Sequence, residues 1–171
     1  MKKFELTREF ITFLGRKLFR IKALVEFGDV KAGELGGYVE KEENINHEGN
    51  AWVYGNARVY GNARVYGNAR VSGDAWVYGN ARVYGDALVV KQEDIIFTAA
   101  KFGTIFRTTT AYRTTDGVQI NCGCFSGNLE EFREQITQTR EGRMREKYLH
   151  HADEIEMYFD LDLEKEEKEG E

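Results

Sequence analysis

Few side chains in this chain could do chemistry. The candidate bases, nucleophiles and metal ligands are three histidines, His47, His150 and His151, and two cysteines, Cys122 and Cys124. Read as one strand through Gly123, the two thiols share a face, and with His150 and His151 they have the composition of a four-ligand zinc set. Adjacent histidines on a helix point about 100° apart, so both rarely reach one metal. Small buried thiols are the preferred reading, and no metal is assigned. Arg107, Tyr112 and Arg113, set among Thr108, Thr109 and Thr110, combine cations, hydroxyls and a ring. Such a set holds a nucleotide-like anion through bidentate guanidinium bonds and ring stacking. Strand alternation puts Arg107 and Arg113 on one side and Tyr112 on the other, so only part of the set converges.

The elements that must position these groups follow from a repeat. The chain has 171 residues with 18 Gly and no Pro, and the glycine is periodic. From Gly49 the sequence reads GNAWVY GNARVY GNARVY GNARVS GDAWVY GNARVY GDALVV, seven hexads ending at Val90. In each, an alanine (Ala51 through Ala87) stands two places before a valine (Val53 through Val89). Residues two apart on a strand face the same way, so Ala and Val line one interior. The Arg or Trp between them, and the Tyr after them, then face outward. Gly-Asn and Gly-Asp tolerate corner conformations that other residues avoid. Short strands, identical corners and constant phase describe a coil, not a meander of hairpins.

The hexad array resembles the hexapeptide-repeat proteins of the left-handed β-helix superfamily, in which three hexads make one triangular coil of 18 residues. It differs from the common acyltransferase hexad in carrying Tyr after the aliphatic residue in five of seven repeats. Seven hexads, opened by Val39 and Ile45 in the alanine register (39, 45, 51), imply about three coils. Stacking at that spacing predicts two outward ladders: Arg64, Arg82, Tyr66 and Tyr84 on one face, and Arg58, Trp76, Tyr60 and Tyr78 on another. Aromatic and cationic ladders stabilise stacked strands, bury a subunit interface or bind a ligand. The resemblance implies a homotrimer.

On this basis the fold class is mainly β: a short left-handed parallel β-helix with an N-terminal β cap and a small C-terminal α+β module. Residues 1–38 form the cap, with strands at Phe4–Thr7, Phe10–Leu14 and Lys17–Leu24 and a glycine-rich loop over Phe27–Val39. Residues 39–92 form the helix. Residues 93–160 hold a strand at Ile95, a hairpin about Thr115-Asp116-Gly117 and two helices. The first helix starts at Asn128 with a capping partner at Glu131; the second spans Arg143–Phe159. Residues 161–171 are an acidic tail. The net charge of −5 is unevenly spread, +3 over residues 1–127 and −8 over residues 128–171. That balance and the lack of a basic stripe argue against duplex nucleic acid. No apolar run reaches a membrane span or signal peptide, and the sparse cysteines point to a reducing cytoplasm.

The arrangement as a whole, carried by Gly28–Val39, the Gly-Asn-Ala-Arg-Val-Tyr array and Cys122-Gly-Cys-Phe-Ser-Gly-Asn-Leu-Glu-Glu-Phe, is similar to phage and prophage proteins often labelled putative hexapeptide-repeat transferases. Superfamily acyltransferases need a histidine base and a coenzyme A ester, frequently with a loop extruded from the coil. No insertion interrupts the hexads here, and His47, six residues before Val53 in the inward register, reads better as a capping residue than as a base. Superfamily carbonic anhydrases need three histidines around the coil, and the hexads contain none. The leading expectation is a non-catalytic, phage-type, homo-oligomeric binding protein. It captures a host protein or a small nucleotide-like anion, with counter-defence by sequestration as the role that expectation carries. Its ligand-binding candidates are Arg58, Trp76, Arg64, Tyr66, Arg82, Tyr84, Arg107, Tyr112 and Arg113. The alternatives are an acyl-coenzyme A-dependent acyltransferase using His47 and an architectural trimer.

Overall fold

Each hexad folds into a two-residue strand and a corner, with the glycines Gly49 to Gly85 all at φ between +59° and +72°. A side chain there would be strained, so glycine sets the corners. In the computed structural model, which describes residues 1–102 and 105–161 and omits the side chains of 99–102, 105 and 106, the chain divides into two compact units. One comprises Met1–Ile95 with Tyr112–Thr115; the other comprises Ile96–Ala111 and the chain from Asp116.

The first unit begins with an antiparallel hairpin, β1 (Phe4–Phe13) and β2 (Arg16–Ala23), turning at Leu14 and Gly15, both at positive φ. The two strands expected before the turn are one, bulged between Leu6 and Phe10. β3 (Leu35–Val39) follows, where a loop was expected. Its Gly36 and Gly37 permit close packing, since a Cβ on Gly37 would lie 2.7 Å from Ala57 O and Val53 Cγ1. Seven strands then follow the hexads: β4 (Trp52–Val53), β5 (Arg58–Val59), β6 (Arg64–Val65), β7 (Arg70–Val71), β8 (Trp76–Val77), β9 (Arg82–Val83) and β10 (Leu88–Val89).

These strands pair in parallel on three faces. The first face runs β3-β5-β8 and is continued by the hairpin through β2; the second runs β4-β7-β10; the third pairs β6 with β9. Within the hexads partners are 18 residues apart, Trp52 with Arg70 and then Leu88, Arg58 with Trp76, and Arg64 with Arg82. The seven alanines and seven valines are buried, as alternation requires. The opening turn differs from expectation. Val39 pairs with Val59 and Ile45 bridges to Val65, which is the valine register at a spacing of 20. Two extra residues at the corner between Ile45 and Val53 cause the offset, so Ile45, not His47, points inward.

The outward positions are not all exposed. Trp52 is fully buried beneath Phe27 (ring centroids 5.3 Å apart) and Phe4 (6.0 Å). Leu18 with Ile11 and Phe13 of the hairpin covers Tyr60 and packs on Trp76. The N-terminal segment thus lies along the outward side chains of the first face in addition to extending its sheet.

The second unit carries most of a sheet of β11 (Ile95–Phe102), β12 (Ile105–Thr114), β13 (Gly117–Cys122) and β14 (Phe125–Gly127) in that order, of which Ile95 and the end of β12 from Tyr112 count with the first unit, then α1 (Leu129–Thr139) and α2 (Gly142–Tyr158). α1 starts at the expected capping box: Asn128 Oδ1 accepts from the Glu131 N–H at 2.9 Å, and Glu131 Oε2 accepts from the Asn128 N–H at 2.8 Å. Leu129, Phe132 and Ile136 pack with Tyr148, Ala152, Ile155 and Phe159 over Val118, Ile120 and Cys122. Cys122 and Cys124 are not on one strand. Gly123, at φ +66°, opens a two-residue hairpin loop in which Cys122 pairs with Phe125, leaving Cys122 buried and Cys124 exposed. Residues 162–171 of the acidic tail lie outside the described residues. Among the described residues no helix is long and apolar enough to cross a membrane.

Candidate functional site

On the third face, alternation directs Arg64 and Arg82 outward from adjacent strands, with Val65 and Val83 buried beside them. Two residues on, Tyr66 and Tyr84 stack with centroids 4.8 Å apart and planes 22° from parallel. That distance is the natural strand spacing, so the stack follows from the repeat itself. The offset corner and the 3-10 turn at Glu42–Asn44 raise a wall along this face. A recess of about 690 Å³ results, lined by Glu42, Glu43, Asn46, His47, Arg64, Tyr66 and Arg82 over a floor of Ile45 and Val65. Four expected site residues, His47, Arg64, Tyr66 and Arg82, therefore share one cavity.

Their chemistry differs. Arg64 is exposed and has no ion-pair partner among the described residues. Tyr66 is half-buried; burial and the neighbouring Tyr84 push its hydroxyl pKa up, more than Arg82 and Arg64 lower it, so it stays a neutral donor across physiological pH. His47 is held by three contacts. Its Nδ1 accepts the Lys3 backbone N–H at 3.1 Å, its Nε2 bonds Glu42 Oε1 at 2.8 Å, and its ring stacks on Phe4 at 4.4 Å. Both ring nitrogens are engaged, which leaves none to take a substrate proton. Glu42 is pushed up by burial, but hydrogen bonds from His47 and Lys2 outweigh this and hold its carboxyl below the usual range.

The other candidates are placed elsewhere. Arg58 and Trp76, expected to line an open ladder, are covered: the Arg58 guanidinium sits 4.4 Å over the Phe13 ring and 5.6 Å from Trp76. The hairpin therefore makes this face a packing surface, although Tyr78 at its end remains exposed. Arg70 pairs with Asp29 at 2.7 Å, and the same carboxylate accepts from the Tyr54 hydroxyl. Arg107, Tyr112 and Arg113 do not form one site. Tyr112 is fully buried, donating to Tyr84 O at 3.0 Å and accepting from the Tyr84 N–H at 3.2 Å, so its ring cannot stack on a ligand. Arg113 lies 3.9 Å from Asp94. Arg107 lines a separate recess with Cys122, Cys124 and Arg140 of about 40 Å³, room for a water or two and not for a nucleotide.

Cys122 Sγ accepts from Thr109 Oγ1, His151 is buried between Thr98 and Glu154, and His150 is exposed. Among the described residues no three His, Cys, Asp or Glu side chains are grouped to hold a metal. Sequence reasoning missed Glu42, Glu43 and Asn46 as the wall of the recess. The available signal was the broken period, eight residues from Ile45 to Val53 where six were due.

Parallel strands stacked at a constant spacing around an alanine and valine interior define a repeat protein of the β-solenoid kind. Residues 51–65, 63–79 and 75–90 match the family model of the YdcK β-solenoid repeat. No curated protein matches the chain.

Proposed function

We propose that the chain is a non-catalytic binding protein whose third solenoid face captures a small, ring-bearing anion of nucleotide type. The observation that carries this reading is the exposed Arg64 beside Arg82 and the Tyr66–Tyr84 stack, opening onto a recess of about 690 Å³. Guanidinium groups bind phosphate or carboxylate oxygens in a bidentate fork, and a tyrosine face accepts a planar ring. Left-handed winding, about three coils, trimeric assembly, phage origin and a bacterial cytoplasmic setting belong to the same reading through the resemblance of the hexads. A captured host protein is the other occupant of this face. The acyltransferase alternative, with a coenzyme A ester and His47 as base, gains from His47 lining the recess and loses from both its nitrogens being engaged.

The test is titration calorimetry and native mass spectrometry with AMP, GMP, CMP, UMP and coenzyme A. Binding of a nucleoside monophosphate is expected to weaken about 10- to 100-fold in Arg64→Ala, the loss of a charged hydrogen bond. Binding unchanged by that variant, or turnover of an acyl-coenzyme A that His47→Ala abolishes, rejects the proposal.

A further inference from the structure

A parallel ladder has a direction. Along this solenoid the outward residues donate their N–H groups forward to carbonyls of the following coil, as Arg58 N does to Ala75 O, Tyr66 N to Val83 O and Ser72 N to Val89 O. The last coil is therefore left with these outward N–H groups in need of acceptors, and the first with the matching carbonyls in need of donors. An open edge of this kind templates pairing with another chain. At the closing end the equivalent donors, one coil on, meet side-chain oxygens. Trp76 N donates to Gln92 Oε1 at 2.9 Å, Tyr84 N to the Tyr112 hydroxyl at 3.2 Å and Val90 N to Asp94 Oδ2 at 2.8 Å. Each oxygen occupies the role of the main-chain carbonyl that another coil would supply.

The opening end shows the reverse chemistry. Gly67 O and Ala69 O accept from Asn50 N and Trp52 N; one coil earlier, Gly49 O and Ala51 O accept from the Lys3 ammonium at 3.2 and 2.9 Å. Gly79 O and Ala81 O accept from Asn62 N and Arg64 N; one coil earlier, Gly61 O and Ala63 O accept from Asn44 Nδ2 at 3.3 and 2.9 Å. Elsewhere the opening end meets main chain: Tyr38 N and Glu40 N donate to Ala57 O and Val59 O on the first face, and Asn46 N donates to Val65 O on the third. Asn44 and Asp94 sit at the same place in matching 3-10 turns, Lys41-Glu42-Glu43-Asn44-Ile45 and Lys91-Gln92-Glu93-Asp94-Ile95. The end that needs a donor has the amide, and the end that needs acceptors has the carboxylate.

We propose that the solenoid terminates itself. Lys3 and Asn44 substitute for the missing donors at one end, and Gln92, Tyr112 and Asp94 for the missing acceptors at the other. Neither end then offers a second copy of the chain an edge to extend, and self-association is left to the outward faces.

Exchanging the two isosteres tests this polarity. Asn44→Asp removes the side-chain donor to the Gly61 and Ala63 carbonyls and sets a carboxylate against them, so Tm falls by roughly 10 °C or more, or the fold is lost. Asp94→Asn keeps an acceptor for the Val90 N–H and shifts Tm by a few degrees at most. Equal losses, or a larger loss in Asp94→Asn, overturn the proposal. Hydrogen exchange on the unaltered protein gives an independent readout: the Trp76, Tyr84 and Val90 amides are expected to be protected to within about tenfold of Arg58, Tyr66 and Ser72. Exchange of those three at unprotected rates overturns it. In Gln92→Leu/Tyr112→Phe, protection at Trp76 and Tyr84 is lost and the weight-average mass rises with concentration. Retained protection at both amides overturns it.

Discussion

Residues 55–60 and 61–66 are the same hexad, GNARVY, yet the structure treats them differently. In the first copy Arg58 lies over Phe13 and Tyr60 is 7% exposed; in the second Arg64 is exposed and Tyr66 borders a recess. Backbone, inward Ala-Val pair and corner are common to both. The difference is the hairpin, which returns from sequence about forty residues earlier to cover one face and leaves the other open. An outward position in a solenoid is therefore not yet a surface position. Whether a repeated side chain packs or binds is decided by what the flanking chain lays over it.

That contrast can be broken in several ways. Trp52→Ala is expected to have the largest effect, a loss of about 3–5 kcal/mol in a urea melt, because the fully buried indole leaves a cavity between Phe4, Phe27 and the sheet. Tyr66→Ala on the open face should cost less than about 1 kcal/mol. Equal costs would mean that covered and open outward positions are alike.

The covered side also titrates. Burial lowers the Lys3 pKa from 10.5 to about 8. The folded chain then binds fewer protons than the unfolded one between these values, so stability rises with pH from about 8 to 10.5, by at most about 3 kcal/mol. Burial first, and Asp29 second, raise Tyr54 to about 12, so folding holds a proton that the unfolded chain loses above pH 10, and stability declines there. Denaturant melts over pH 7–11 should show the rise, absent in Lys3→Met.

Phe13→Ala is expected to lose about 1–3 kcal/mol and to expose Trp76, read as a red-shifted emission with increased iodide quenching. An unshifted spectrum would show that the hairpin tip does not shield that face. The smallest effect is that of Asp29→Ala, under about 1 kcal/mol and reduced by salt, since both partners of the Arg70–Asp29 pair are about half exposed. The Tyr54 pKa should also fall from about 12 toward 10 in a spectrophotometric titration.

Much of the solenoid was legible because periodicity is a local property. Ala51 and Val53 share a face through strand geometry alone, and Gly-Asn corners need nothing distant. The Arg64–Arg82 and Tyr66–Tyr84 columns follow from the same count. Cys122 and Cys124 were misread because one glycine at positive φ turns a strand into a hairpin. His47 was placed in the inward position that Ile45 holds because a two-residue insertion leaves hydrophobicity almost unchanged while shifting the register.

The sequence by itself determined the coil, its interior and the spacing of its outward columns, since these depend only on backbone stereochemistry and a six-residue period. Only the tertiary structure decided which column is open. The covering of Arg58 and the burial of Trp52 and Tyr112 depend on segments distant in sequence, brought against them by apolar packing and hydrogen bonds that no local pattern encodes.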